Sequence, residues 1–318
     1  MRRVFPMLSA ASVAGCVISP RPFALITFDV DGTLVRGSGS RAEASAHARA
    51  FAAAVGKVLG DGTPTRLPAE LLPPERYHGS TDGLIALNMA SAAFGTPAEA
   101  AVPKLPEVWQ EMYDYVAALT DDEVADGIDP LPGVIDTLRT LASDEMQERV
   151  ACGLVTGNVE GIARKKMRAV KVLATGALAA PAAEQSWKGE DDSAFLGGFG
   201  SDFCSGDIED RSRNYLDRAE QIAIAARRCR SSLPSSRTLT RLVHVGDAPA
   251  DVLAAKSCAE RGVLGDGVCV GMVAVATGSY SAAELSELAG AAVPGCWEPV
   301  VLADGIADPQ FLEACGVL

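Results

Sequence analysis

Residues 28–34 read Phe-Asp-Val-Asp-Gly-Thr-Leu and follow the apolar, β-prone run Ala-Leu-Ile-Thr at 24–27. This pattern predicts a buried strand whose carboxyl end carries two acids. Alternation along an extended chain directs Asp29 and Asp31 to the same side, and Gly32 allows a sharp turn. Carboxylates this close repel each other, so they need a cation between them or a proton on one of them. The stretch predicts an aspartyl nucleophile beside an acid/base aspartate and a divalent metal; a solvated turn or a calcium loop would share the local pattern.

Two later strand ends also carry polar groups. Residues 154–158 read Leu-Val-Thr-Gly-Asn, and residues 242–251 read Leu-Val-His-Val-Gly-Asp-Ala-Pro-Ala-Asp. Taken in order, the motifs D-x-D-G-T, T-G-N and G-D-x-x-x-D resemble the signature of the haloacid dehalogenase superfamily. Their spacing resembles the phosphoglycolate phosphatase-like branch, in which a helical cap lies between the first and second motifs.

Strands and helices alternate outside residues 36–130, which predicts an α/β fold with a parallel sheet and helices on both faces. With the resemblance, this indicates a Rossmann-like core at 21–35 and 131–318, an inserted α-helical cap at 36–130, and a leader at 1–20. Ligands bind at the carboxyl ends of strands in such sheets. All of the selected strand-end residues fall there.

The resemblance implies a role for each strand-end residue. Asp29 is expected to be the nucleophile and Asp31 the general acid/base, with a pKa raised by its anionic neighbours. The expected cofactor is Mg²⁺, held by Asp29, the Asp31 carbonyl and Asp247, with Asp251 supporting. The expected phosphate-binding residues are Thr156, Gly157 and Asn158.

The phosphate site also requires a cation, for which an arginine fork is well suited. The family pattern G-G-F-G-S-D stands at 197–202 and is usually followed closely by an arginine and a helix. Here residues 203–210 intervene. The spacing R-x-x-L favours Arg213, with Arg211 as the alternative.

The predicted cap contains a G-x-T-D-like element that related caps place at the start of a helix facing the active site. Its residues, expected to set specificity, are Gly79, Ser80, Thr81 and Asp82. An ordinary helix start, with Thr81 or Asp82 as the N-cap, explains the same pattern.

Other polar residues have simpler interpretations. The basic trio at 164–166 is typical of a solvated helix face. We expect His244 to be buried in its strand, and His47 and His78 to lie at the surface or in a hinge. The eight cysteines form no C-x-x-C pair, so a zinc site is not indicated.

The composition limits partners and location. A formal charge of −13 argues against nucleic acid, and no apolar run is long enough to span a membrane. Cysteines within apolar patterns indicate a reducing compartment, so we expect the cytoplasm. The acid-free first 28 residues keep organelle targeting open.

The resulting prediction is a magnesium-dependent phosphatase that hydrolyses a small, phosphoglycolate-like phosphorylated metabolite through an aspartyl phosphate, as a monomer or homodimer. Asp31 argues against a dehalogenase, because dehalogenases lack this acid. A β-phosphoglucomutase-like phosphomutase and a non-catalytic phosphometabolite-binding protein are the alternatives.

Overall fold

A six-stranded parallel sheet forms the centre of the computed structural model, which describes residues 20–38, 44–178 and 196–317. In chain order the strands are β1 (Arg21–Phe28), β2 (Val35–Gly37), β3 (Ile128–Pro130), β4 (Val150–Thr156), β5 (Gly197–Phe199), β6 (Arg237–Gly246), β7 (Cys269–Val275) and β8 (Trp297–Leu302). The central sheet has the order β5-β4-β1-β6-β7-β8, and every neighbouring pair is parallel. The predicted leader lies outside the described residues except for Pro20.

Helices cover the sheet and fill the segment between β2 and β3. Those between β2 and β3 are α1 (Ala46–Leu59), α2 (Pro68–Leu71), α3 (Asp82–Phe94), α4 (Ala98–Ala101), α5 (Leu105–Ala117) and α6 (Asp121–Ala125). The later helices are α7 (Val134–Leu141), α8 (Asp144–Gln147), α9 (Glu160–Ala169), α10 (Arg213–Ser232), α11 (Pro249–Arg261), α12 (Ala282–Ala289) and α13 (Phe311–Ala314). None of the helices within the described ranges is long and apolar enough to cross a bilayer.

Two apolar clusters pack on opposite faces of the sheet, and the side chains of β1 alternate between them. Phe23 and Leu25 join the cluster formed with α10, α11 and α12, whereas Ile26 and Phe28 join the one formed with α7, α9 and α13. Side chains alternate between the two faces of a strand, and a parallel sheet covered on both faces is therefore apolar at successive positions. The predicted α/β fold, with a parallel sheet flanked by helices, is confirmed.

The helical insertion, residues 46–125, leaves and rejoins the sheet through a short antiparallel pair. In this pair Val35 lies opposite Pro130 and Gly37 opposite Ile128. Both boundaries predicted for the cap fall at this pair. The insertion has its own apolar cluster, built from α1, α3 and α5, and this cluster extends onto Val159 and Ile162 at the start of α9. The insertion is thus packed against the segment that follows β4.

We expect Phe311→Ala to lower the free energy of unfolding by about 3–5 kcal/mol, because it removes a buried ring. Phe311 is 1% exposed and stacks on Phe28 with ring centroids 6.4 Å apart. Phe94→Ala is the control, since Phe94 is 36% exposed and its loss should cost at most about 1 kcal/mol. Urea unfolding of both variants measures the difference. If Phe311→Ala lowered the free energy of unfolding by no more than about 1 kcal/mol, as expected for Phe94→Ala, α13 would not be part of the core.

Candidate active site

A cleft of about 630 Å³ opens at the carboxyl ends of β1, β4 and β6. Because β1 lies between β4 and β6, the loops that follow these three strands are neighbours. The predicted site residues that line the cleft are Asp29, Asp31, Gly79, Ser80, Asp82, Thr156, Gly157, Asn158 and Asp247. Thr81 and Asp251 are fully buried and are not among the lining residues.

Two glycines allow the loops to approach the Asp247 carboxylate. Gly32 has a φ of +89°, and a Cβ there would lie 2.2 Å from Oδ2 of Asp247. A Cβ on Gly278, just after β7, would lie 1.7 Å from the same oxygen. Thr33 donates a hydrogen bond to Oδ1 of Asp247 at 3.2 Å, and Thr277 donates one to the carbonyl of Gly32 at 2.6 Å. These contacts hold Asp247 against the turn that follows β1.

Three buried carboxylates cluster beside this turn. Asp29, Asp247 and Asp251 each offer an oxygen, and these atoms lie within 4.8 Å of one another. Burial raises the pKa of Asp29 to about 6, with further increases from Asp251 and Asp31, against the opposing effect of Arg218. Burial, followed by repulsion from Asp29 and Asp251, raises the pKa of Asp247 well above its ordinary value. The cluster therefore carries more negative charge than its protein surroundings neutralise.

Arg218 is the cation of this cluster. Its guanidinium is 2% exposed and forms ion pairs with Asp29 at 2.7 Å and with Asp251 at 3.1 Å. Nη2 of Arg218 also donates to the carbonyl of Gly79, 3.3 Å away in the helical insertion. Burial opposes ionisation of Asp251, but Arg218 and His244 outweigh it and hold its pKa below the ordinary value.

The structure does not bring Arg213, predicted for the phosphate site, or the alternative Arg211 to the cleft, and Arg218 lines it instead. Arg213 begins α10 and pairs with Asp210 at 3.6 Å, and neither arginine lines the cleft. Residues 203–210 lengthen the loop before α10, and the arginine that lines the cleft stands five residues later than the spacing suggested. A sequence signal existed: Arg218 shares helical spacing with the apolar positions Ile222 and Cys229, and an arginine in a core-facing stripe requires a buried anion.

The basic trio at 164–166 is also placed differently from the prediction, because all three side chains are buried. Arg164 pairs with Glu160, and Lys165 pairs with Asp121 at 3.2 Å. Lys166 lines the cleft and contacts both carboxylate oxygens of Asp31, at 2.7 and 2.8 Å. These contacts come from the way the insertion covers α9, which the local sequence does not reveal.

Lys166 reverses the expected electrostatics of Asp31. Desolvation in the cleft opposes ionisation, but the charge of Lys166 and the hydrogen bonds from Lys166 and Asn158 outweigh it, so the pKa of Asp31 is lowered. The expectation of a raised pKa for Asp31 is therefore wrong for the protein without substrate. The amide of Asn158 donates to Oδ2 of Asp31 at 3.0 Å and, through its oxygen, accepts from Lys166 at 2.9 Å.

The segment at 79–82 lies directly on the loop that follows β4. The backbone N–H of Asp82 donates to the carbonyl of Gly157 at 2.8 Å, and its carboxylate accepts from the N–H of Val159 at 2.8 Å. A Cβ on Gly157 would lie 2.2 Å from the carbonyl oxygen of Ser80. Thr81 is the N-cap of α3 and accepts from the N–H of Leu84 at 3.4 Å. The predicted helix start and the predicted proximity to the cleft therefore occur together.

The three histidines occupy different environments. His244 is fully buried, as predicted, and bonds Thr27 at 3.0 Å and Asp251 at 3.1 Å. His47 and His78, expected at the surface or in a hinge, are both half-buried and line the cleft. Nε2 of His47 lies 2.9 Å from the Asp82 carboxylate, within the insertion.

The donor set fits a hard divalent cation. Carboxylate oxygens are the ligands that Mg²⁺ prefers. A cation here would favour the ionised forms of Asp29 and Asp247, against the burial and the repulsion that raise the pKa of both groups. Both oxygens of Asp251 already accept hydrogen bonds or ion pairs, from Arg218, His244 and the N–H of Ala248. Asp251 is therefore better placed to support the cluster than to act as a direct ligand.

Comparison with known proteins agrees with this arrangement. A family model described as haloacid dehalogenase-like hydrolase matches residues 23–258, a range that contains the three strand ends, the helical insertion and Arg218. A comparison with curated proteins gave no match. The match covers well over half of the chain and confirms the resemblance at the level of the superfamily. The chain belongs to the haloacid dehalogenase-like hydrolases.

Proposed function

We propose that this hydrolase is a magnesium-dependent phosphatase that cleaves a small phosphorylated metabolite, such as a phosphoglycolate-like ester, through an aspartyl phosphate. The observation that carries the proposal is the buried cluster of Asp29, Asp247 and Asp251 around Arg218, at the end of a cleft. A cluster with excess negative charge and one arginine suits a cation and an anionic phosphoryl group. It does not suit a neutral substrate.

In the first step, a carboxylate oxygen of Asp29 forms a bond to phosphorus while the bond from phosphorus to the ester oxygen breaks. Asp31 gives its proton to that departing oxygen. In the second step, Asp31 accepts a proton from water as the water oxygen bonds to phosphorus. The bond to Asp29 then breaks, which releases phosphate and restores both aspartates.

Lys166 favours the ionised form of Asp31, which is the form that the second step requires. The first step needs the protonated form. An anionic substrate beside Asp31 raises the pKa of that carboxyl, because like charges disfavour ionisation. Substrate binding thus favours the acid form, and loss of the leaving group favours the base form.

The remaining residues stabilise the phosphoryl group. Thr156 and the N–H groups of Gly157 and Asn158 stand before the N-terminus of α9, where phosphate oxygens are favoured. The Arg218 guanidinium reaches Asp29 and can bond the oxygens of a group attached there. Mg²⁺, held by Asp29, Asp247 and the Asp31 carbonyl, would supply positive charge opposite the phosphoryl oxygens.

The helical insertion acts, in this proposal, as a cap over the substrate. Its segment at 79–82 contacts the loop after β4, where the N–H of Asp82 donates to the Gly157 carbonyl. The same segment contacts Arg218, which donates to the Gly79 carbonyl. A cap packed in this way excludes water other than the reacting molecule and contacts the part of the substrate beyond phosphorus.

We expect Asp29→Asn to reduce hydrolysis of p-nitrophenyl phosphate by at least roughly 10³-fold, because the amide cannot form the aspartyl phosphate. Asp136→Asn is the matched control, since Asp136 is exposed on α7 far from the cleft lining. Release of p-nitrophenol in Mg²⁺ measures both variants. Turnover by Asp29→Asn comparable to the wild type would exclude Asp29 as nucleophile.

Arg218→Met should reduce kcat by about 10²- to 10³-fold, because it removes a buried donor aimed at the phosphoryl site. Arg213→Met is the control on the same helix and should stay within about threefold of the wild type, since an exposed ion pair contributes little. Steady-state kinetics of the two variants compare the arginines directly. A larger loss of kcat in Arg213→Met than in Arg218→Met would indicate that Arg213, and not Arg218, binds the phosphoryl group.

Mg²⁺ should raise the melting temperature of the wild-type protein, because binding to the folded state at about 100 times Kd adds ~2.7 kcal/mol of stability. Asp247→Asn should abolish this increase. The metal-free variant should be at least as stable as the metal-free wild type, since one repelling charge is gone. Thermal unfolding with EDTA or Mg²⁺ tests both points without substrate, and an unchanged Mg²⁺ shift in Asp247→Asn would contradict the assignment.

A further inference from the structure

Lys166 is a buried cation inside the cleft, and three of the described residues accept hydrogen bonds from it. Its ammonium group donates to Asp31, to the side-chain oxygen of Asn158 at 2.9 Å, and to Nδ1 of His47 at 3.4 Å. The lysine side chain is only 5% exposed. A buried ammonium is costly unless it keeps its partners, so a ligand that displaces one of these groups must offer the lysine an acceptor in its place.

Two of the three acceptors are fixed by the protein. Asp82 accepts from Nε2 of His47, which leaves Nδ1 of His47 as the acceptor for Lys166. Asn158 is 6% exposed and belongs to the loop that is packed under the insertion. Asp31 differs, because 51% of its side-chain surface is accessible from the cleft. The Asp31 carboxylate is therefore the one acceptor that a ligand group can replace.

The position of Asp31 also indicates which part of the substrate lies next to Lys166. In the proposed reaction Asp31 protonates the leaving oxygen, so the alcohol part of the ester lies next to Asp31. Arg218 contacts Asp29, the attacking group, and serves the phosphoryl end. The two buried cations of the cleft thus lie toward opposite parts of the substrate.

Among the described residues, Asp31 is the one carboxylate paired with Lys166, and Asn158 and His47 are its other acceptors. In the proposed reaction the Asp31 carboxyl turns toward the ester oxygen, which leaves the lysine available to another anion. We propose that Lys166 is a specificity-determining residue that binds an anionic group on the alcohol part of the substrate, close to the ester oxygen. This inference rests on the proposed phosphatase function and extends it by naming the group that is recognised and the residue that recognises it. His47 and Asp82 act as positioning residues for the lysine.

The test compares two esters of equal length, 2-phosphoglycolate and 2-hydroxyethyl phosphate, which differ in carrying a carboxylate or a hydroxyl group. The wild-type kcat/KM should favour the carboxylate ester by roughly 10- to 100-fold, the usual effect of a charged hydrogen bond. Lys166→Met should bring the ratio to within about threefold of unity, mainly by raising KM for the carboxylate ester.

Lys165→Met is the matched control. Lys165 is the neighbouring buried lysine of α9, but it pairs with Asp121 and does not line the cleft. This variant should keep the wild-type ratio. If Lys166→Met does not fold, His47→Phe replaces it, because a ring fits beside Phe51 but offers no acceptor; it should raise KM for the carboxylate ester alone.

The outcomes separate the two proposals. Absence of turnover on both esters and on p-nitrophenyl phosphate would overturn the phosphatase function and this inference together. Hydrolysis of both esters at equal kcat/KM by the wild type would overturn only the role of Lys166. Two further results would overturn only the role of Lys166. One is a folded Lys166→Met variant that retains the preference for the carboxylate ester, and the other is loss of this preference in Arg36→Met, a variant of another cleft-lining residue.

Discussion

The carboxylates buried at the ends of β1 and β6 repel one another, and the residues around them must offset this repulsion. Asp29, Asp247 and Asp251 present oxygens within 4.8 Å of one another, in a region from which water is largely excluded. Burying such charges costs several kcal/mol per ion unless cations or hydrogen bonds compensate. Arg218 compensates two of them, which explains why α10 carries a buried arginine.

Support for this arrangement extends behind the cleft. Asp251 receives hydrogen bonds from His244 and from the N–H of Ala248, besides its ion pair with Arg218. His244 is in turn bonded to Thr27, one strand away in β1. A chain of contacts therefore runs from β1 through β6 to the guanidinium. Because every member of the chain is buried and bonded, the arginine keeps one orientation toward Asp29, as preorganised electrostatic stabilisation requires.

Strand-end residues could be predicted from the sequence because their placement follows from rules that act locally. Alternation in β1 directs Asp29 and Asp31 together, and the carboxyl ends of parallel strands share one edge of the sheet. Thr156 and Asp247 follow from the same rules. Helical residues could not be predicted in this way. Whether Lys166 faces solvent depends on which segment covers α9, and the position of Arg218 depends on the length of the loop at 203–210.

The insertion also determines the pairing of core residues, because His47 contacts Lys166 and Asp121 pairs with Lys165. Without α5 and α6 packed on α9, and without His47 of α1 beside it, Lys166 would be a solvated lysine. His47 takes the place of a water that the lysine would otherwise bind, and Asp82 holds His47 in position. The cost of desolvating Lys166 and Arg218 is met when the chain folds, so a substrate does not have to strip water from these cations when it binds. The folded protein therefore holds both desolvated cations at the cleft before a ligand binds, at some cost to its own stability.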